Sequence, residues 1–196
     1  MNPILNIQSL NPKYFGKLRA SFEKNIINNS KLAGITESIL KEKPRIVQSM
    51  YFEGNYATWE HQDSYYLDDE NIGSMCAGWL ALEDIQPSAG RFFVVPKSHL
   101  FDYSSMDLDN SIASNHSAYI ESIVSKMNNF SERPIAPCLL KGDLLIWNSM
   151  TIHGSLDSTS CSSRSSITFH VIKTSSRLSV FRSFYKLCLP DSNLAF

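Results

Sequence analysis

The sequence has no apolar run near the roughly 18 residues that a membrane-spanning helix needs. Its first stretch, MNPILNIQSLNPKYFGK, is broken by Asn, Gln and Pro before a secretory apolar region can build up. A soluble, cytoplasmic protein is the expectation. An excess of either charge is also missing: 18 Lys and Arg stand against 19 Asp and Glu, a formal net charge of -1. With no basic field to hold phosphate backbones or anionic lipid, nucleic acid and membrane are not expected partners. Cysteine is sparse, and Cys76, Cys138, Cys161 and Cys188 stand apart with no CxxC pair. That argues against a disulfide framework or a structural zinc and for reduced thiols. Pro- or Gly-rich linkers and fixed-period repeats are absent too.

What is present suits one folded domain over residues 1–196. Apolar residues make up 43% and charged residues only 19%, a balance that excludes disorder. Asn11 followed by Pro12 predicts a helix start, and Tyr14, Phe15, Leu18, Phe22 and Ile26 then share one helical face over 12–27. Ser30 is the expected cap of a second helix carrying Leu32, Ile35, Ile39 and Leu40, which Pro44 ends. From residue 45 the texture changes to short β-type runs between turn residues: RIVQSMYF, YATWEHQD, SMCAGWLALED, RFFVVP, DLLIWNS and SSITFHVIK. An all-β sandwich or barrel follows. One helix is expected at 116–128, with Tyr119, Ile120, Ile123, Val124 and Met127 packing inward. The stretch LSVFRSFYKLCL fits strand or helix.

Among the polar features, His61-Gln62-Asp63 stands out within a strand-type run. Period-two alternation puts residues i and i+2 on one face, so the imidazole and the carboxylate can converge. A third ligand would complete a set of two histidines and one carboxylate, which leaves metal positions open for a co-substrate and oxygen. His153 is the candidate, following the apolar run DLLIWNS and preceding Gly154, where backbone can approach closely. Arg164 lies eleven positions further on. Its guanidinium fork can hold the distal carboxylate of a dicarboxylate whose other end chelates iron. The plainer reading is a solvated residue, since seven of the twelve residues 155–166 are serine.

Together these residues resemble a known family. The stretch MYFEGNYATWEHQDSYYLDDENIGSMCAGWLALEDIQPSAGRFFVVPKSH looks like the central part of the phytanoyl-CoA dioxygenase family, iron(II)- and 2-oxoglutarate-dependent oxygenases. KGDLLIWNSMTIHGS with SSRSSITFHV looks like its C-terminal half. The resemblance implies an all-β core with flanking helices, a double-stranded β-helix of the jelly-roll or cupin type over 45–173. A helical segment, 1–44, would precede it and an extension, 174–196, follow it. It implies Fe(II) held by His61, Asp63 and His153, 2-oxoglutarate held at its C5 carboxylate by Arg164 with help from Ser166, and O2 as second co-substrate. Trp79 and Ser155 fall where relatives also contact the co-substrate; the alternatives are a core aromatic and a turn residue. His99, in VPKSH, falls in a turn where relatives read Pro-Gly-Ser-His, a structural position, with Lys97 replacing the usual Gly. His116 and His170 read as a helix cap and a strand residue.

Sixty residues precede His61, fewer than relatives carry, and no basic cluster awaits the phosphates of an acyl-CoA. A small polar metabolite, amino-acid derivative or natural-product intermediate is therefore the expected substrate. Hydroxylation is the expected outcome, with desaturation, cyclisation or epimerisation by the same cofactors as the alternative. A β-sandwich binding module with a degraded site is the non-enzymatic one. Oligomeric state stays open.

Overall fold

A computed structural model describes residues 4–53, 57–100, 112–180 and 183–185. Strand β1 (Ile4–Leu5) leads into helix α1 (Pro12–Phe22), whose end widens into a π-helical turn over Glu23–Ile27 before α2 (Ser30–Leu40). The first helix starts as its sequence dictates: Pro12 opens it, and the Asn11 side chain accepts the Lys13 N–H at 2.9 Å. The second is capped by Asn29, not Ser30. Asn29 has the extended backbone a cap requires and accepts the Leu32 N–H at 3.0 Å, whereas Ser30 is already helical.

The strands that follow are β2 (Pro44–Phe52), β3 (Thr58–His61), β4 (Leu67–Asp69), β5 (Cys76–Ala81) and β6 (Phe92–Val94). Helix α3 (Ile112–Asn128) intervenes before β7 (Leu144–Asn148), β8 (His153–Ser155), β9 (Ser166–Lys173), β10 (Leu178–Val180) and β11 (Ser183–Tyr185). A five-stranded sheet runs β1-β2-β9-β5-β7, opposed by the three-stranded sheet β3-β8-β6, with a third small sheet β11-β10-β4. Every strand pair among the described residues is antiparallel. This is the jelly-roll arrangement. The stretch that fits strand or helix is strand at Leu178–Val180 and Ser183–Tyr185, and the remainder, with Cys188, lies outside the described residues.

Alternation sorts the large sheet's side chains. Cys76, Phe169 and Val171 face the helices, packing with Phe22, Ile26, Ile27 and Leu40. On the opposite face Ala77, Trp79, Ala81 and Trp147 pack inward between the sheets. The α1 face is less buried than its periodicity suggests: Tyr14 is 71% exposed, and Phe15 and Leu18 are exposed as well, because only the end of the segment reaches the sheet. Periodicity identifies an apolar face without showing what covers it.

Helix α3 closes one end, burying Tyr119 and Ile123 against Tyr65, Phe93, Val95 and Ile152. Val124 is exposed, so the expected inward stripe is narrower by one residue. His116 sits inside α3 and not at its cap, its ring Nε2 2.8 Å from the Tyr66 hydroxyl. In the VPKSH turn Lys97 adopts the left-handed conformation (φ 62) that Gly would take, so the turn survives its loss. His99 is exposed there, while buried Ser98 accepts the Ile152 N–H at 2.8 Å. Asp68 on β4 accepts from Gly73 N–H, Met75 N–H and the Ser149 hydroxyl, tying β4 to the turn after β7. Burial still pushes its pKa up to about 6. No helix among the described residues is long and apolar enough to cross a membrane.

Candidate metal centre

The small sheet brings the two ends of the candidate site together. His61 closes β3 and stands opposite His153, the first residue of β8. His153 is thus not the tail of the preceding apolar strand. β7 stops at Asn148, and a turn redirects the chain into the other sheet. Asp63 begins a 3-10 turn over Asp63–Tyr65 and not a strand position, but Gln62 is extended (φ -119, ψ 136), so alternation carries one residue past the strand. Candidate ligand atoms of His61, Asp63 and His153 all lie within 4.8 Å of one another.

Backbone carbonyls set both imidazoles. His61 Nδ1 is 2.7 Å from the Trp59 carbonyl and His153 Nδ1 is 2.9 Å from that of Thr151. A carbonyl can only accept, so each Nδ1 carries a proton, and in the neutral ring each Nε2 offers its lone pair. The Asp63 carboxylate accepts the Trp147 indole N–H at 2.8 Å through Oδ2. Its Oδ1 lies 3.4 Å from His153 Nε2 and 3.3 Å from His170 Nε2. Burial would raise the Asp63 pKa, but His153 and His170 hold it well below the usual carboxylate range. Burial, reinforced by His153, pushes His61 down to about 4. His153 is raised, since Asp63 outweighs its desolvation. An ionised carboxylate and an uncharged imidazole form a donor set that suits a divalent transition metal.

All three residues line a cavity of about 150 Å³ that also touches Trp79, Phe92, Ser155, Arg164 and Thr168. Arg164 is 4% exposed, not a solvated loop residue; its Nη1 donates to the Gly90 carbonyl, and burial pushes its pKa down to about 10. Trp79 is buried on the same sheet face as Ala77 and Ala81, so it is at once core aromatic and cavity wall. The Ser155 hydroxyl is 2.7 Å from that of Thr58, in the wall. Ser166 is fully buried, with no hydrogen-bond partner for its hydroxyl among the described residues. It lies two positions before Thr168, on the same face of β9.

Gly154 has a specific steric role. A Cβ there would lie 2.8 Å from the Thr58 carbonyl oxygen and 2.9 Å from the Phe93 ring. Gly154→Ala is expected to push β8 off β3, costing about 1–3 kcal/mol of stability and weakening metal binding, since both histidines sit on that pair. Thermal unfolding and an iron(II) titration check it; a variant matching the unmodified protein in both refutes it.

Sequence reasoning missed several supports. Tyr119 on α3 accepts the Gln62 N–H at 2.8 Å, bracing the middle of the His-Gln-Asp segment. The Gln62 side-chain amide donates to the Met150 carbonyl, joining that segment to the turn before His153. Trp147 and His170 approach Asp63 from the large sheet. The helical stripe marked Tyr119 as inward-facing, whereas Trp147 and His170 stood in strand-type runs with no face assigned; their partners are 57 to 107 positions away and left no local pattern.

Comparison with known proteins places these features in context. The profile of the phytanoyl-CoA dioxygenase (PhyH) family matches residues 11–166. Phytanoyl-CoA dioxygenase domain-containing protein 1 from Bos taurus is 28% identical over 156 residues, covering 76% of this chain and 52% of that protein. The Caenorhabditis elegans homolog is 28% identical over 166 residues, covering 80% of this chain and 56% of that one. The chain thus spans about half the length of the curated relatives it matches. Among solved structures, the non-heme alpha ketoglutarate dependent carbocyclase SnoK superposes with a TM-score of 0.64 at 16% identity, covering 90% of this chain and 81% of that one. EctD from S. alaskensis with 2-oxoglutarate and 5-hydroxyectoine gives 0.61 at 18% identity, covering 90% and 58%. The epimerase SnoN in complex with Fe3+, alpha ketoglutarate and nogalamycin RO gives 0.61 at 16%, covering 83% and 62%. At such identities the likeness is one of fold.

Proposed function

Because the chain belongs to the phytanoyl-CoA dioxygenase family, we propose that it is an iron(II)- and 2-oxoglutarate-dependent oxygenase that hydroxylates a small metabolite or natural-product intermediate. The observation that carries this reading is the shared cavity: half-buried His61, buried Asp63 and His153, and a buried guanidinium line the same small space. When bound, the iron supplies oxygen chemistry and 2-oxoglutarate supplies two electrons as it becomes succinate and carbon dioxide.

The chain's own residues do the holding and the excluding. His61 and His153 present Nε2 and Asp63 a carboxylate oxygen to the metal. Arg164 pairs with the distal carboxylate of the co-substrate, a charge-assisted bond strengthened by its burial. Ser166 offers a buried hydroxyl with no partner among the described residues, and Thr168 and Ser155 line the wall, so each can add a hydrogen bond. Trp79 and Phe92 give the cavity dry sides, limiting access of water. A cavity of about 150 Å³ suits a co-substrate of this size and leaves no room for a coenzyme A thioester within it. The substrate then approaches from its mouth. With iron bound, Asp63 would take the position that a halide would need, so oxygenated and not halogenated products are expected.

Anaerobic reconstitution with Fe(II) and 2-oxoglutarate, followed by air, a panel of candidate substrates and excess chloride, tests the proposal. Succinate formation stimulated by one substrate, with a hydroxylated product in mass spectrometry, is the expected result. Absence of iron(II) binding would overturn the reading, and a chlorinated product would overturn the role given to Asp63.

A further inference from the structure

Three neighbouring strands of the large sheet carry a row of side chains beneath the metal cluster. Ala77 on β5 pairs with Trp147 of β7 on one side and with His170 of β9 on the other. All three are buried on the inner face, and His170 is 1% exposed. A methyl group between two large rings leaves a notch, and the distances put the Asp63 carboxylate over it. Trp147 Nε1–H donates to Oδ2 at 2.8 Å, and His170 Nε2 lies 3.3 Å from Oδ1. Apart from this approach, neither ring nitrogen of His170 has a hydrogen-bond partner among the described residues. A buried imidazole is costly without one, and Asp63 is the polar group it reaches. His170 does not belong to the cluster of mutually close ligand atoms, which His61, Asp63 and His153 form without it.

From this geometry we infer that His170 and Trp147 are positioning residues for the carboxylate ligand. The inference rests on the metal-binding role proposed for Asp63. That residue stands on a short turn past the end of β3, where its side-chain torsions would otherwise be free. The indole donor at Oδ2 and the imidazole 3.3 Å from Oδ1, both fixed in a rigid sheet, limit that freedom and order the carboxylate before the ion arrives. The small side chain of Ala77 is part of the device, because a larger one would occupy the notch.

The test compares the unmodified protein with His170→Phe, His170→Gln, Trp147→Phe and Ala77→Val. The readouts are anaerobic iron(II) affinity, the absorption band of the Fe(II)–2-oxoglutarate complex, and melting temperature. His170→Phe keeps the ring volume and removes the donor; iron affinity is expected to fall about 10- to 100-fold with a displaced band. His170→Gln, which restores an N–H near the Nε2 position, should recover much of the loss, whereas a purely structural role predicts no such recovery. Unchanged affinity and band in His170→Phe overturn the inference, as does a loss that Gln leaves untouched. If His170→Phe does not fold, Trp147→Phe and Ala77→Val decide, and iron affinity unchanged in both overturns it. Failure of the unmodified protein to bind iron instead overturns the proposed function itself.

Discussion

Changing His153 to Ala is expected to abolish stoichiometric iron(II) binding, and with it turnover, while the fold persists. His153 is buried, its Nδ1 proton is committed to the Thr151 carbonyl, and Nε2 is left facing the cluster. Removing the imidazole leaves two of three donors. Loss of an outer partner alone costs about 10–100-fold in metal affinity, so loss of a ligand should cost roughly 100-fold or more. The β8 backbone contributes its pairing with β3 and β6 whatever the side chain, which is why the sheet should survive. Asp63 keeps the Trp147 indole N–H and its proximity to His170, so its charge is not stranded in the core. Anaerobic titration with iron(II), beside circular dichroism of the same sample, is the measurement. Equal iron affinity in the variant and the unmodified protein would remove His153 from the ligand set.

Arg164→Ala should cost about 2–5 kcal/mol in 2-oxoglutarate binding, the range seen when one member of a buried, hydrogen-bonded charge pair is truncated. At about 1.4 kcal/mol per decade, that is roughly 30- to several thousand-fold in affinity. The size follows from burial. A solvated arginine would contribute only about 0–1 kcal/mol, but this guanidinium is 4% exposed and lies in a wall with aromatic neighbours. Arg164→Lys should restore only part of the loss, because an ammonium cannot form the planar fork. The variant also frees the Gly90 carbonyl, so a modest drop in stability is expected. Iron(II) affinity measured without 2-oxoglutarate separates the two effects: it should stay unchanged while co-substrate affinity falls. Equal co-substrate affinity in Arg164→Ala and the unmodified protein refutes the anchoring role.

Much of the site was legible because its chemistry is local. His61 and Asp63 are two residues apart, and alternation is a property of any extended chain, so their convergence needed no tertiary information. Gly154 beside His153 signalled a close approach, and the close approach is there, against the Thr58 carbonyl. Arg164 was ambiguous for a physical reason. Its serine-rich surroundings read as solvated loop, and tertiary packing, with Arg164 donating to the Gly90 carbonyl, takes the guanidinium out of water. The apolar stripe of α1 misled in the opposite direction, because helical periodicity is the same whether or not a sheet lies beneath the helix.

By itself, then, the sequence determined an all-β sandwich or barrel, the helical start and the candidate ligands, since each follows from period, turn chemistry and short spacings along one chain; the jelly-roll class came from the family resemblance. Only the tertiary structure decided which groups press on those ligands. Trp147, Ala77 and His170 come from three strands separated by up to 93 positions, and they meet in one row because the sheet registers them. Tyr119 reaches Gln62 from a helix on the other side. Such contacts depend on register and burial, which are set by cooperative packing of the whole sheet and leave no pattern among neighbours in sequence.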